Sequence, residues 1–251
     1  IEDERFYYYC DILGVFVWAE MPSAYAFNEN TVETVSAEWT AVIKQLRNHP
    51  SVIAWVPFNE SWGIEGVRFD KTQQAFAEAV YYLTKTLDAE KRPVISNDGW
   101  EHTKSDIVTI HNYAQRGAEL VAAYEDKDDA LNGDRNISAV GRAIFAKGYK
   151  YEGQPIVISE FGGIAYLKDK GKGWGYGECV ADEKAYLERL KSLTDAIKGL
   201  PYVCGYCLTQ TTDVMQEVNG IVDMDRNPKT ALTEIKTVSY THLTLPTNSR
   251  V

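Results

Sequence analysis

Apolar residues follow two alternating patterns along the chain: short unbroken runs and stripes at helical spacing. Phe6 to Leu13 reads as a helix closed by Asp11 and Gly14, and Val15 to Glu20 as a strand that stops on a glutamate before Pro22. From Glu33 to Arg47 the apolar positions Val35, Trp39, Ile43 and Leu46 recur every three or four residues, which predicts an amphipathic helix. Asn48-His49-Pro50 ends it, because the residue before a proline is pushed out of the helical region. Val52 to Phe58 is then almost continuously apolar, the pattern of a strand covered on both faces, and it ends abruptly on Asn59-Glu60. Phe69 to Leu87 carries a second helical stripe through Phe76, Val80, Leu83 and Leu87.

Two strands are predicted next. Arg92 to Asn97 leads into Asp98, Gly99, Trp100 and Glu101, and Ile107 to Tyr113 delivers His111, Asn112 and Tyr113. The pattern weakens from Gly117 to Gly153, where the acidic run Asp126 to Asp134 reads as loop and one helix is expected around Ala139 to Ala146. Ile156, Val157, Ile158 and Ser159 then form a short β-branched strand ending on Glu160-Phe161-Gly162-Gly163. The paired glycines allow close passage of the backbone. A loop through Gly171, Gly173, Gly175 and Gly177 follows. Asp182 is placed to cap a helix from Glu183 to Lys198 that closes at Gly199 and Pro201, and Val203 to Thr209 is the last strand, tipped by Gln210, Thr211, Thr212 and Asp213.

This alternation specifies an α/β fold built on a parallel sheet with covering helices. Every polar cluster falls at a strand's C-terminal end, as in a (β/α)8 barrel, although an open doubly wound sheet shares that feature. Six strands are two short of an eight-stranded barrel and a helix leads, so the missing pair is expected upstream of Ile1. The run Val238 to Val251 has no helical period and is set apart as a non-native or disordered tail.

Two strands that each deliver a glutamate point to one site with two carboxylates. That is the equipment of glycoside hydrolysis, in which one group protonates the departing oxygen and the other attacks or directs water. The net charge of -10, with no basic stripe, argues against a nucleic-acid partner. No run approaches the roughly 20 apolar residues that span a bilayer, which argues against a membrane partner. Six Trp and sixteen Tyr suit a carbohydrate partner, since flat aromatic surfaces match the C–H faces of sugars, though most are expected in the core. Cys204 and Cys207 have the spacing of a metal or redox half-site, but on a strand positions three apart face opposite sides, and no second pair exists.

Leu13-Gly14-Val15-Phe16-Val17-Trp18-Ala19-Glu20, Asn48-His49-Pro50-Ser51-Val52-Ile53 with Asn59-Glu60, and Ser159-Glu160-Phe161-Gly162 occur in an order and spacing that resemble the catalytic barrel domain of glycoside hydrolase family 2. That family includes β-galactosidases, β-glucuronidases and β-mannosidases. The resemblance covers about Phe6 to Lys236. It implies a (β/α)8 TIM barrel truncated before its third strand, Val15 to Glu20, so that residues 1–237 are a partial catalytic domain and 238–251 the tail. The implied activity is that of a retaining exo-β-glycosidase, β-galactosidase-like in specificity. β-Glucuronidase or β-mannosidase specificity, or an inactive barrel fragment that only binds carbohydrate, stand as alternatives.

The resemblance further implies Glu60 as acid/base and Glu160 as nucleophile. Consuming Glu160 in a glycosyl-enzyme removes a negative charge and lets Glu60 act as base in the second step. Asn59 is expected to bond the sugar 2-OH, and Tyr113 to stand against Glu160. His111 is read either as a substrate contact or as a hydrogen-bonded barrel histidine, Trp62 as a sugar-stacking residue or a packed loop anchor, and Glu20 chiefly as a structural partner. Asn97 and Trp100 are placed toward the aglycone, with Asp98 and Glu101 beside them. Gln210, with Asp213, stands where the family usually carries a Trp. The Glu-x-His pattern of metal-dependent members is missing, so neither a catalytic metal nor a cofactor is expected. Asn227-Pro228-Lys229 has the letters of a uronate-recognition motif in a different place, and a homo-oligomeric parent protein is left open.

Overall fold

The computed structural model describes residues 1–132, 141–167 and 173–240. Helices and strands alternate in it: α1 (Glu4–Leu13), β1 (Val17–Glu20), α2 (Glu29–Leu46), β2 (Val52–Val56), α3 (Lys71–Leu87), β3 (Val108–Asn112), α4 (Gly117–Tyr124), α5 (Lys127–Asn132), β4 (Ile156–Gly162), α6 (Glu183–Lys198), β5 (Val203–Thr209) and α7 (Leu232–Ser239). Each long helix begins at a side-chain cap that satisfies an otherwise unpaired N–H. Asn28 accepts from Thr31 N for α2, Asp70 from Thr72 N for α3, and Asp182 from Ala185 N for α6. None of the described helices is long and apolar enough to cross a membrane.

The chain divides into two units. The first holds Ile1–Asn112, Ala122–Phe161 and Leu200–Cys207; the second holds Tyr113–Val121, Gly162–Gly199 and the chain from Leu208 onward. In the first, β1 pairs in parallel with β2, and β3 in parallel with β4, which neighbours β5. The stripes read from the sequence meet as expected. Trp39, Ile43 and Leu46 of α2 pack with Trp55 of β2 and with Phe76, Ala77 and Val80 of α3, all buried. Trp39 and Trp55 meet edge to face at 5.8 Å, and their indole N–H groups donate to Thr84 Oγ1 (2.7 Å) and Asp88 Oδ2 (3.1 Å). Buried indoles keep their polar edges satisfied in this way.

Three expectations need correction. Arg92 to Asn97 does not form a regular strand. It meets β2 and its extension through the isolated parallel bridges Trp55↔Val94 and Asn59↔Asp98. On its far side, side chains stand in for a backbone ladder: Val94 N donates to Asp106 Oδ2, Ser96 N to Ser105 Oγ and Gly99 N to Thr109 Oγ1. Second, the stretch from Gly117 holds α4 and α5, which the acidic composition had concealed. Third, residues 141–146 are not helical. Their backbone groups serve residues 101 and 102 instead, with Glu101 N donating to Ala143 O and His102 N to Ile144 O. Residues 139 and 140 lie outside the described residues, as do Gly171 and 241–251, whereas Val238 and Ser239 belong to α7.

The second unit centres on a buried ion pair. Lys229 Nζ lies 2.6 Å from Asp213 Oδ1 and also donates to the carbonyls of Tyr166 and Val218. Gly163, at φ 54°, lies so close to the stacked rings of Tyr113 and Tyr176 that a Cβ there would come within 2.4 Å of Tyr176. Here the second of the paired glycines is used to admit aromatic rings.

Candidate active site

The first unit brings five titratable side chains to the C-terminal ends of its strands. Glu20 ends β1, Glu60 follows β2, Asp98 lies on the bridging segment, His111 on β3 and Glu160 on β4. His111 and Glu160 are register partners on adjacent parallel strands, so their side chains share one neighbourhood. His111 Nδ1 is 2.8 Å from Glu60 Oε1 and 3.6 Å from Glu160 Oε2. One oxygen of each carboxylate and an imidazole nitrogen all lie within 4.8 Å of one another. Glu60 and Glu160 remain partly open to solvent, at 21% and 26% side-chain exposure, whereas His111 is sealed at 0%.

Glu60 owes its direction to a left-handed turn. Glu60 and Ser61 have φ of 52° and 60°, a region that non-glycine residues enter at a cost of about 1–3 kcal/mol each. The turn is held from several sides. Glu60 N donates to Asp98 O, Ser61 N to Asn97 Oδ1 (2.9 Å) and Ser61 Oγ to Glu101 Oε2 (2.7 Å). Asn97 Nδ2 in turn donates to Ser61 Oγ and to Trp100 O. Glu101 also pairs with Arg142 Nη1 at 3.2 Å.

A buried anion stands behind the histidine. Asp98 Oδ2 lies 3.1 Å from His111 Nε2, at an angle off the hydrogen-bond line, and Asp98 Oδ1 accepts from Ser159 Oγ at 2.7 Å. Burial alone would raise the Asp98 pKa, but the His111 cation close against it and hydrogen bonds from Thr109 and Ser159 outweigh it and hold the group below its usual range. Burial works against charge on His111 as well. There the opposing attraction of Asp98, with Glu60 and Glu160, prevails and pushes the imidazole up to about 10. Glu20, partly buried and facing the charges of Asp98, Glu160 and Glu60, is pushed up to about 8, first by burial and then by that repulsion.

Glu60, His111 and Glu160 are the group among the described residues whose donor atoms converge closely enough to invite a cation. With His111 Nδ1 2.8 Å from Glu60 Oε1, the same three side chains also form an ion-pair cluster without any ion.

The other residues named from the sequence are placed as follows. Asn59 Oδ1 is buried and has no hydrogen-bond partner among the described residues. Asn97 is buried within the Glu60 turn. Trp100 is buried and meets the edge of His111 at 5.7 Å, its Nε1 without a partner among the described residues. Trp62 is half exposed and packs edge to face against the exposed Tyr25 at 6.0 Å. Tyr113 and Gln210 belong to the second unit, where Tyr113 stacks on Tyr176 at 3.4 Å and Gln210 donates to Asn219 Oδ1 at 2.8 Å. The pairing of Asp98 with His111 was missed. The available signal was another acid at the tip of an expected strand, the same device that had marked Glu60 and Glu160.

Comparison with known proteins gives the family and the fold. Residues 2–243 match the family described as "Glycosyl hydrolases family 2, TIM barrel domain". Among curated relatives, beta-mannosidase B of Aspergillus clavatus is 35% identical over 75 residues, which is 28% of this chain and 9% of that protein. The beta-mannosidase of Capra hircus is 35% identical over 63 residues, or 24% of this chain and 7% of that protein. Among solved structures, a beta-glucuronidase of Ruminococcus gnavus superposes with a TM-score of 0.68 at 19% identity, covering 94% of this chain and 42% of that one. The beta-glucuronidase of Bifidobacterium dentium complexed with coumarin-3-O-glucuronide gives a TM-score of 0.65 at 20% identity, covering 93% and 38%. At these identities the structures speak for the fold, and the chain spans less than half the length of the relatives it matches.

Proposed function

Since the chain belongs to glycosyl hydrolase family 2, with residues 2–243 matching its TIM-barrel domain, we propose that it carries both carboxylates of a retaining exo-β-glycosidase. The observation that carries this reading is the approach of Glu60 and Glu160 to within 4.8 Å. Retention needs carboxyl groups about 5–5.5 Å apart, whereas inversion needs about 6.5–9.5 Å to admit a water between them.

In this reading Glu160 attacks the anomeric carbon while Glu60 protonates the departing glycosidic oxygen, giving a covalent glycosyl-enzyme. Glu60 then takes a proton from water, which displaces Glu160 with a second inversion at the same carbon. The buried Asn59 Oδ1, without a partner among the described residues, supports a role in accepting a hydrogen bond from a substrate hydroxyl, because a buried acceptor left unpaired costs about 1–3 kcal/mol. Trp62 and Tyr25, both exposed, supply an aromatic surface for a sugar or aglycone.

For the sugar, the curated relatives favour a β-mannoside as the first candidate and the solved structures a β-glucuronide as the second; neither set supports the β-galactoside expected from the sequence. The test is a panel of nitrophenyl β-mannoside, β-glucuronide, β-galactoside and β-glucoside with the full-length parent protein and its Glu160→Ala variant. Turnover of one glycoside that is lost in the variant supports the reading. Binding without turnover of any of them indicates a carbohydrate-binding protein instead.

A further inference from the structure

Building on that reading, we propose that Asp98 and His111 form a fixed ion pair whose cationic end is a positioning charge for the two carboxylates. The imidazolium neither gives nor takes a proton in the reaction. Its ring is immobilised on three sides: Asp98 lies behind Nε2, the edge of Trp100 covers it, and Gly99 backs it so closely that a Cβ there would be 2.7 Å from His111 Cγ. At φ 98°, Gly99 is also where a side chain would be strained. The remaining donor, Nδ1–H, faces outward to Glu60 at 2.8 Å and Glu160 at 3.6 Å.

A single hydrogen held there serves both halves of a double displacement. In the free enzyme the positive charge lies against both carboxylates and offsets their mutual repulsion. Once Glu160 is esterified, the same charge stands beside Glu60 alone as water is directed to the anomeric carbon. The dependence on Asp98 follows from burial, since an unpaired imidazolium sealed from water would lose its proton. Among the described residues, Glu20 from β1 and His102 from the adjoining segment also face the ring's charge, and Cys207 from β5 faces Asp98 and Glu160. Burial drives His102 to about 4 and so leaves it neutral, and drives the Cys207 thiol upward, leaving it uncharged too. With Glu20 carrying a proton below about 8, Asp98 is the anion that holds the imidazolium from behind.

Nitrogen-15 NMR of the imidazole side chains tests the ion pair directly, with His111→Asn identifying the resonances. Both nitrogens of His111 should stay protonated beyond pH 8. In Asp98→Asn the titration midpoint should fall by more than about one unit. A His111 that is neutral at pH 7 overturns the proposal, and the wild-type spectrum decides this even if the variant fails to fold. The second arm is the pH–rate profile of the parent protein. Removing the charge with His111→Asn, or His111→Gln should that variant not fold, should move both limbs to higher pH by about one to three units. A purely structural role would lower the rate without moving the limbs. An active parent with an unmoved profile overturns this proposal alone, whereas a parent inactive on every glycoside overturns the functional reading with it.

Discussion

Asn97→Ala is the substitution that most sharply separates a scaffolding role from a substrate-binding one. Asn97 accepts from Ser61 N and donates to Ser61 Oγ and to the Trp100 carbonyl, all in a buried setting. Ser61 Oγ keeps its bond to Glu101, so truncation leaves two backbone groups unpaired, the N–H of Ser61 and the C=O of Trp100. At about 1–3 kcal/mol for each buried unpaired group, the loss is roughly 2–6 kcal/mol. That is a large share of the roughly 5–15 kcal/mol that holds a domain folded. The same bonds stabilise the left-handed conformations of Glu60 and Ser61, so activity should fall through kcat as the Glu60 carboxylate loses its aim. Urea unfolding followed by tryptophan fluorescence measures the first effect and steady-state kinetics of the parent protein the second. Asn97→Asp, which keeps the acceptor for Ser61 N but sets a buried carboxylate against the Trp100 carbonyl, should cost at least as much. A stability change under about 1 kcal/mol together with a raised KM and an intact kcat would refute the reasoning and return Asn97 to the substrate.

Gly99→Ala should displace His111, because the added methyl would stand 2.7 Å from its ring at a φ that side chains rarely adopt; loss of the His111 NMR signature and a lower Tm would report it, and an unchanged spectrum would contradict it. His102 is buried with its pKa depressed to about 4 against an ordinary value near 6.5, so the unfolded chain binds more protons between those limits. Stability should therefore decline as pH falls from 6.5 toward 4, by about 3 kcal/mol for this group, and a variant lacking His102 should show a shallower decline in urea unfolding. Glu20 has the opposite sign. A carboxyl raised to about 8 makes the folded state bind the extra proton, so its contribution erodes as pH rises from 4.5 through 8, and Glu20→Gln should raise Tm at pH 9 more than at pH 5.

Much of the fold could be read from the chain because its helices have a single apolar stripe and its strands are short and nearly all apolar. The bounds of α6 and β5 coincide with their sequence readings, and Glu60 and Glu160 stood out as acids that interrupt an apolar run. What escaped the sequence depended on partners distant along the chain. Arg92 to Asn97 has the composition of a strand, yet the carboxylate of Asp106 and the hydroxyls of Ser105 and Thr109 take the N–H groups a ladder would have used. The acidic stretch near Asp126 read as loop, but Asp126 accepts from Asp129 N and acids fill the first turn of α5, where the helix dipole favours them. In α4, Glu119 reaches back to the N–H groups of Gln115 and Arg116, a cap hidden by the glycine at its start. For His111 the sequence left two roles open, and no spacing rule could have shown that Asp98 and Trp100 enclose it.

The most direct test of the central claim is covalent trapping of the parent protein with a 2-deoxy-2-fluoro β-glycoside of the sugar it hydrolyses, followed by peptide mass spectrometry. The predicted result is a single glycosyl adduct on Glu160 that forms in wild type and is absent from Glu160→Ala. An adduct on Glu60, or turnover that proceeds with inversion and traps nothing, would contradict the account.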